Sequence, residues 1–190
     1  VKYFQAVKDK LEALNQSTDI NELREILTLL INYAVRMLNG GKMSFSSVLF
    51  DLYQQGLAAE AFLEHGVLLH FMYRNIAAAA LMNKAYDWCS DFVESYKEYV
   101  DPEHREAYYR FNMSKYYFSI GEYKKCARQM SEVNSGDVLI DLNAKATVIK
   151  AYYEMNELSM AEYAVNNLKQ FLWRKKMASY HRENYENFIK

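Results

Sequence analysis

Proline and glycine are scarce, with one Pro and six Gly in 190 residues. Sandwiches and barrels need many tight turns, which draw on residues that fix φ or tolerate positive φ. That shortage argues against an all-β fold, and the long stretches of helical spacing favour an all-α one. Cysteine is nearly missing: Cys89 and Cys126 cannot build a disulfide framework or, by themselves, a zinc site. Both fall on apolar helix faces, so they read as buried thiols in a reducing compartment, which makes the cytoplasm the expected location. No apolar run reaches the roughly 18 residues of a membrane span. The net charge of −1 gives no global attraction for nucleic acid or an anionic membrane. The chain starts at Val1 rather than Met, has no secretion signal and stops at Ile189-Lys190, which reads as a fragment of a longer chain.

What is abundant is apolar and aromatic. Half of the residues are hydrophobic, including 17 Tyr and 10 Phe, enough for a sizeable core in a single domain spanning 1–190. The spacing of Phe4, Val7, Leu11 and Leu14 predicts a helix over 3–14. Ser17-Thr18-Asp19 offers caps for the next, which runs through Leu23, Ile26, Leu27, Leu30, Ala34 and Leu38 to Asn39-Gly40-Gly41. A third helix is expected from Ser44 to Gly56 and a shorter one over 58–64. Regular helix pairs follow at 67–100, 102–134 and 138–173. Asp101-Pro102 marks the start of the second pair, as an N-cap with proline at the first helical position. A last helix over 177–189 places Tyr180, Tyr185 and Phe188 where they would cap the stack.

The pairs share a pattern. Asn112, Ser114, Tyr117, Gly121, Tyr123, Cys126, Met130 and Val133 recur more loosely as Ile149, Tyr152, Asn156, Leu158, Ala161, Val165 and Leu168. Small residues stand where two helices cross, and aromatics stand where one hairpin packs on the next. This order resembles the tetratricopeptide repeat family, most clearly over 107–133 and less so over 143–168. Over 70–100, Asn83, Ala85 and Trp88 take the turn, aromatic and small positions, giving intervals of 38 and then 35 residues. The resemblance implies antiparallel helix pairs stacked as a right-handed solenoid, which works as a binding surface. It also implies a concave face formed by the first helix of each pair, carrying an extended protein or peptide segment. By position that face holds His70, Tyr73 and Arg74, then Tyr108, Phe111, Asn112 and Lys115, then Asn143 and Lys150. Arg74, Lys115 and Lys150 would bond a carboxylate, and the aromatics would supply contact area.

Other charge patterns are weaker signals. Asp87, Asp91, Glu94 and Glu98 form an acidic stripe opposite Ala85, Trp88, Cys89, Phe92, Tyr96 and Tyr99, the layout of a solvated outer face. Lys169, Arg174, Lys175, Lys176 and Arg182 cluster around Phe171, Trp173 and Tyr180. Those aromatics have core spacing, so nucleic acid is not the expected partner. The acidic helix and the basic end would also permit head-to-tail association of copies. Gly40-Gly41-Lys42 lacks the remainder of a phosphate loop and reads as a helix C-cap. His65 and His70 do not share a helix face, and no partnered nucleophile is visible. The sequence therefore predicts a non-catalytic protein-binding scaffold without cofactor or metal. The alternative is an architectural or self-associating domain whose groove is filled by its own helices.

Overall fold

The structure, a computed structural model, describes residues 19–175 and 177–189. The helix expected over 3–14 lies outside them, as do Ser17, Thr18 and Lys176. The described chain is all-α apart from one short ribbon, and no described helix is long and apolar enough to cross a membrane. It forms two compact units, one holding residues 19–89 and 98–101 and the other holding the remaining described residues.

The first unit begins with α1 (Ile20–Asn39), whose Asp19 cap accepts a hydrogen bond from Asn21 N at 3.1 Å. Leu23, Leu27, Leu30, Ile31 and Ala34 lie on one stripe and are buried. Gly41, at φ 82°, ends the helix and lets Lys42 N reach Met37 O at 3.0 Å. The next helix, α2 (Phe45–Ala58), packs on α1 and presents Leu49, Leu52, Tyr53 and Leu57 to the core. Gly56 leaves the space that the Phe62 ring occupies; a Cβ there would stand 2.2 Å from that ring.

The segment 58–64 corrects the expected short helix. Glu60, at φ 54°, closes α2, and Ala61 N donates to Gly56 O at 2.8 Å. Two short strands follow, β1 (Leu63–Glu64) and β2 (Val67–Leu68), paired antiparallel. His65 and Gly66 between them both have positive φ, the requirement of a two-residue type I′ turn. Arg24 reaches this loop from α1, donating to Ala61 O at 2.7 Å and Leu63 O at 3.2 Å. Next comes α3 (His70–Met82), which packs on α2, and then α4 (Tyr86–Tyr96) with a 3-10 turn at Lys97–Tyr99. The boundary between the units falls within α4.

The second unit continues with α5 (Arg105–Ser119), α6 (Tyr123–Met130), α7 (Val138–Glu154), α8 (Leu158–Arg174) and α9 (Ser179–Phe188). Each of α5 to α7 packs on the next. The start of α5 is later than Asp101-Pro102 predicts, because residues 102–104 form a turn. Asp101 is engaged elsewhere, with its carboxylate 2.9 Å from His70 Nδ1. By contrast, Asp137 caps α7 as a helix start should, accepting from Leu139 N at 2.7 Å and Ile140 N at 3.3 Å.

One turn geometry recurs in α3–α4, α5–α6 and α7–α8. Lys84, Gly121 and Asn156 take positive φ, and the next amide reaches back to Ala80, Tyr117 and Tyr152 oxygens respectively. The turn residue of the first pair is thus Lys84, not Asn83, which shortens its interval to Gly121 to 37 residues. Asn83 uses its side chain instead, donating to Ala79 O at 2.8 Å and Ser46 O at 2.9 Å. Moving the register by one residue places Cys89, Cys126 and Ala161 at one equivalent position, and all three are buried. Burial pushes the Cys89 thiol up to about 12 and Cys126 to about 11, as expected of inert packing thiols.

Candidate functional site

The nine side chains assigned to a concave face divide sharply when placed in the fold. Tyr73, Tyr108, Phe111 and Asn112 are buried, at most 5% exposed, and so belong to the core rather than to a contact surface. The helices that carry them explain this. Tyr73, Ile76, Ala77, Ala79 and Ala80 are buried on α3, and Tyr108 and Phe111 through Ser114 on α5. These residues do not lie on one stripe, so spacing cannot tell a binding face from a packing face.

Charge in the first unit is already engaged. Arg74 donates to Asn75 Oδ1 through Nε at 3.3 Å and Nη2 at 2.9 Å. Its charge also opposes the burial that pushes the Tyr53 hydroxyl up to about 12. His70 is half-buried against Asp101.

In the second unit, Lys115, Asn143 and Lys150 come together. They line a cavity of about 190 Å³ with Thr147 and with Tyr185 and Phe188 of α9. Lys115, on α5, donates to Thr147 Oγ1 at 3.1 Å, and that hydroxyl donates to Asn143 O at 2.8 Å. The helix thereby fixes Thr147 through an i→i−4 bond, and Thr147 in turn fixes the ammonium. Lys115 also stands 5.6 Å from the Phe111 ring centroid, and Lys150 stands 5.5 Å from that of Phe188.

No carboxylate lines this cavity, and neither lysine forms an ion pair among the described residues. Burial, reinforced by the Lys150 charge and partly opposed by Cys126, pulls the Lys115 ammonium down to about 8. Among the described residues the site is therefore rich in donors and lacks a counter-ion. Its chemistry suits an oxygen anion, which would supply acceptors and compensate the desolvated charge.

Ala146, Thr147, Asn184, Tyr185 and Phe188 are the cavity residues that the repeat pattern does not indicate. Thr147 sits four residues after Asn143 on α7, a spacing that places both on one face. The α9 residues come from outside the repeat, so its period carries no signal for them.

The flanking charge patterns separate as well. Asp87, Asp91, Glu94 and Glu98 are all exposed, and Glu94 accepts from the Tyr109 hydroxyl at 2.8 Å. At the basic end, Trp173 is 84% exposed and Tyr180 68%, so these rings are not the core residues their spacing suggests. Comparison with known proteins adds no relative: no family model, no curated protein and no solved structure matches the chain.

Proposed function

We propose that this chain is a non-catalytic, tetratricopeptide-like helical scaffold that binds a protein segment through an anionic group. The supporting observation is the cavity of Lys115, Asn143, Thr147 and Lys150, where two cations meet without a carboxylate among the described residues. Lys115 and Lys150 take the anion's charge, Asn143 and Thr147 orient its oxygens, and Tyr185 and Phe188 provide the apolar wall. No bond is made or broken; binding comes from replacing water around a half-buried ammonium with a fixed acceptor. The buried Tyr108, Phe111 and Asn112 pack within the second unit rather than touching the partner, and Tyr73 packs within the first.

A direct test uses a fluorescein-labelled extended peptide carrying clustered glutamates and its glutamine counterpart, followed by anisotropy. The acidic peptide should bind at least about tenfold more tightly, a preference that Lys115→Met with Lys150→Met abolishes. Equal binding of the two peptides to the native chain would reject the reading.

A second reading has its own observation: α9 already lines the cavity, with Phe188 beside Lys150. In that case the chain is architectural and α9 is the permanent occupant. Tyr185→Ala with Phe188→Ala separates the two. If α9 is a wall, the double substitution weakens peptide binding; if α9 is the occupant, binding appears only after the substitution.

A further inference from the structure

A second recess lies in the same unit and has different chemistry. It encloses about 710 Å³ between α6, the end of α7 and the start of α8. Ala127, Tyr152, Met155 and Met160 form its apolar surface, and Lys124 and Arg128 stand on its α6 side. The same helix ends also carry exposed apolar residues outside its lining, with Tyr153 69%, Leu158 60% and Tyr163 64% exposed. An apolar recess of this kind, bordered by charge, is characteristic of an interaction site. Methionine adds a surface that adapts to its occupant.

Charge decides which occupant fits. Lys125 is paired with Glu122 at 3.3 Å, and Glu157 is the other carboxylate on the lining. Lys124 and Arg128 are exposed and form no ion pair among the described residues. They lie four residues apart on one helix, so their charges are spaced by about 6 Å along its axis. A partner helix with carboxylates at i and i+4 presents the same spacing, with its apolar stripe alongside.

This chain shows such a carboxylate pair itself. Asp87 and Asp91 follow Lys84 by the same intervals that separate Lys124 and Arg128 from Gly121. A second copy is nevertheless a poor occupant, because the apolar residues of α4 are spent: Cys89, Phe92 and Val93 are at most 4% exposed. We infer that the α6–α8 recess docks an acidic amphipathic helix of another protein, with its carboxylates on Lys124 and Arg128 and its apolar stripe on Met155 and Met160. The site is separate from the Lys115 cavity and does not depend on it.

The test uses a labelled 16-residue helical peptide with leucines on one stripe and glutamates at i and i+4 beside it. Two control peptides replace glutamate by lysine or scramble the leucine spacing. The acidic amphipathic peptide should bind, and each control should lose at least about tenfold in affinity. Lys124→Glu with Arg128→Glu should reverse the charge preference, so that the lysine peptide binds instead. Met160→Asp should weaken both, and Lys115→Met with Lys150→Met should leave binding unchanged. All the substituted residues in the recess are on the surface, and circular dichroism confirms that each variant is folded. No binding, equal binding of the scrambled peptide, or binding unmoved by charge reversal overturns the inference. So does concentration-dependent dimerisation in light scattering that Lys124→Glu with Arg128→Glu removes, since a second copy is then the occupant.

Discussion

The two units treat the same kinds of residue in opposite ways. In the first, Tyr73 is fully buried, Arg74 is bonded to Asn75 and His70 faces Asp101. In the second, among the described residues, Lys115 and Lys150 share a cavity without a carboxylate, and Lys124 and Arg128 form no ion pair beside an apolar recess. Aromatic and cationic residues on the first helix of a pair therefore do not carry the same role in both units. What distinguishes a binding face is uncompensated charge beside accessible apolar surface, not position within the motif. The first unit uses Tyr73, Arg74 and His70 in its own contacts, whereas the second leaves Lys124 and Arg128 exposed beside a recess.

The strongest way to break this contrast is to truncate Tyr73. If it is core, Tyr73→Ala should destabilise the chain by about 3–5 kcal/mol, comparable to other large aromatic truncations, and lower the urea midpoint accordingly. A near-neutral effect on unfolding would mean that the ring is not holding the first unit together. Gly56→Ala probes the same packing with a single added methyl. Its Cβ would meet Phe62, whose ring is only 6% exposed and lies 6.0 Å from that of Tyr53, edge to face. We expect a loss of about 1–3 kcal/mol, the range for overpacking, with binding at the Lys115 cavity retained once folded. A thermal melt unchanged from the native chain would show that Phe62 moves aside freely.

Helices were easier to read than the faces they present. The pairs α5–α6 and α7–α8 were legible because Gly121 and Asn156 are residues that accept positive φ readily. Lysine is not such a residue, so Lys84 was passed over for its neighbour Asn83 and the first pair slipped by one position. The ribbon around His65-Gly66 was invisible because strands of two residues carry no period to detect. Among site residues, Lys115, Asn143 and Lys150 are what the tetratricopeptide resemblance implies by position, and the structure brings these three to one cavity. Tyr73 and Phe111 were misassigned because α3 and α5 are enclosed on more than one side, where apolar spacing stops being informative. Trp173 failed in the opposite sense: its helical spacing matched a core residue, yet it is 84% exposed.

A smaller effect sharpens the other half of the contrast. A half-buried ammonium with no counter-ion costs stability, so Lys115→Met should stabilise the free chain by on the order of 1–2 kcal/mol while abolishing anion binding. The pH dependence fixes the cause. Lys115 sits at about 8 in the folded chain, below its ordinary 10.5. Between those values the unfolded chain holds a proton that the folded chain has released, so folded stability rises with pH across this window. The penalty is complete below pH 8 and relieved above about 10.5. Urea unfolding at pH 7 and pH 10 should therefore show the native chain gaining on Lys115→Met. Anion binding should move the other way, weakening as pH rises through 8, and parallel pH profiles for the two proteins would refute the assignment.

The smallest predicted effect compares the units at one shared position. Ala77 precedes Lys84 by seven residues, and Ser114 precedes Gly121 by seven, so the two occupy the same place in their hairpins. Both are buried, but Ser114 Oγ has no hydrogen-bond partner among the described residues, whereas alanine brings no polar atom to satisfy. At the Ala77 position the backbone oxygen takes a contact from Cys89 Sγ at 3.7 Å. Ser114→Ala makes the second unit resemble the first at this point and removes a buried hydroxyl that gains nothing from burial. The expected result is a stabilisation of about 0.5–1 kcal/mol, visible as a higher urea midpoint at unchanged slope. A loss of similar size would show that the hydroxyl is satisfied in solution, and that the second unit is better packed at this crossing than its unpartnered oxygen suggests.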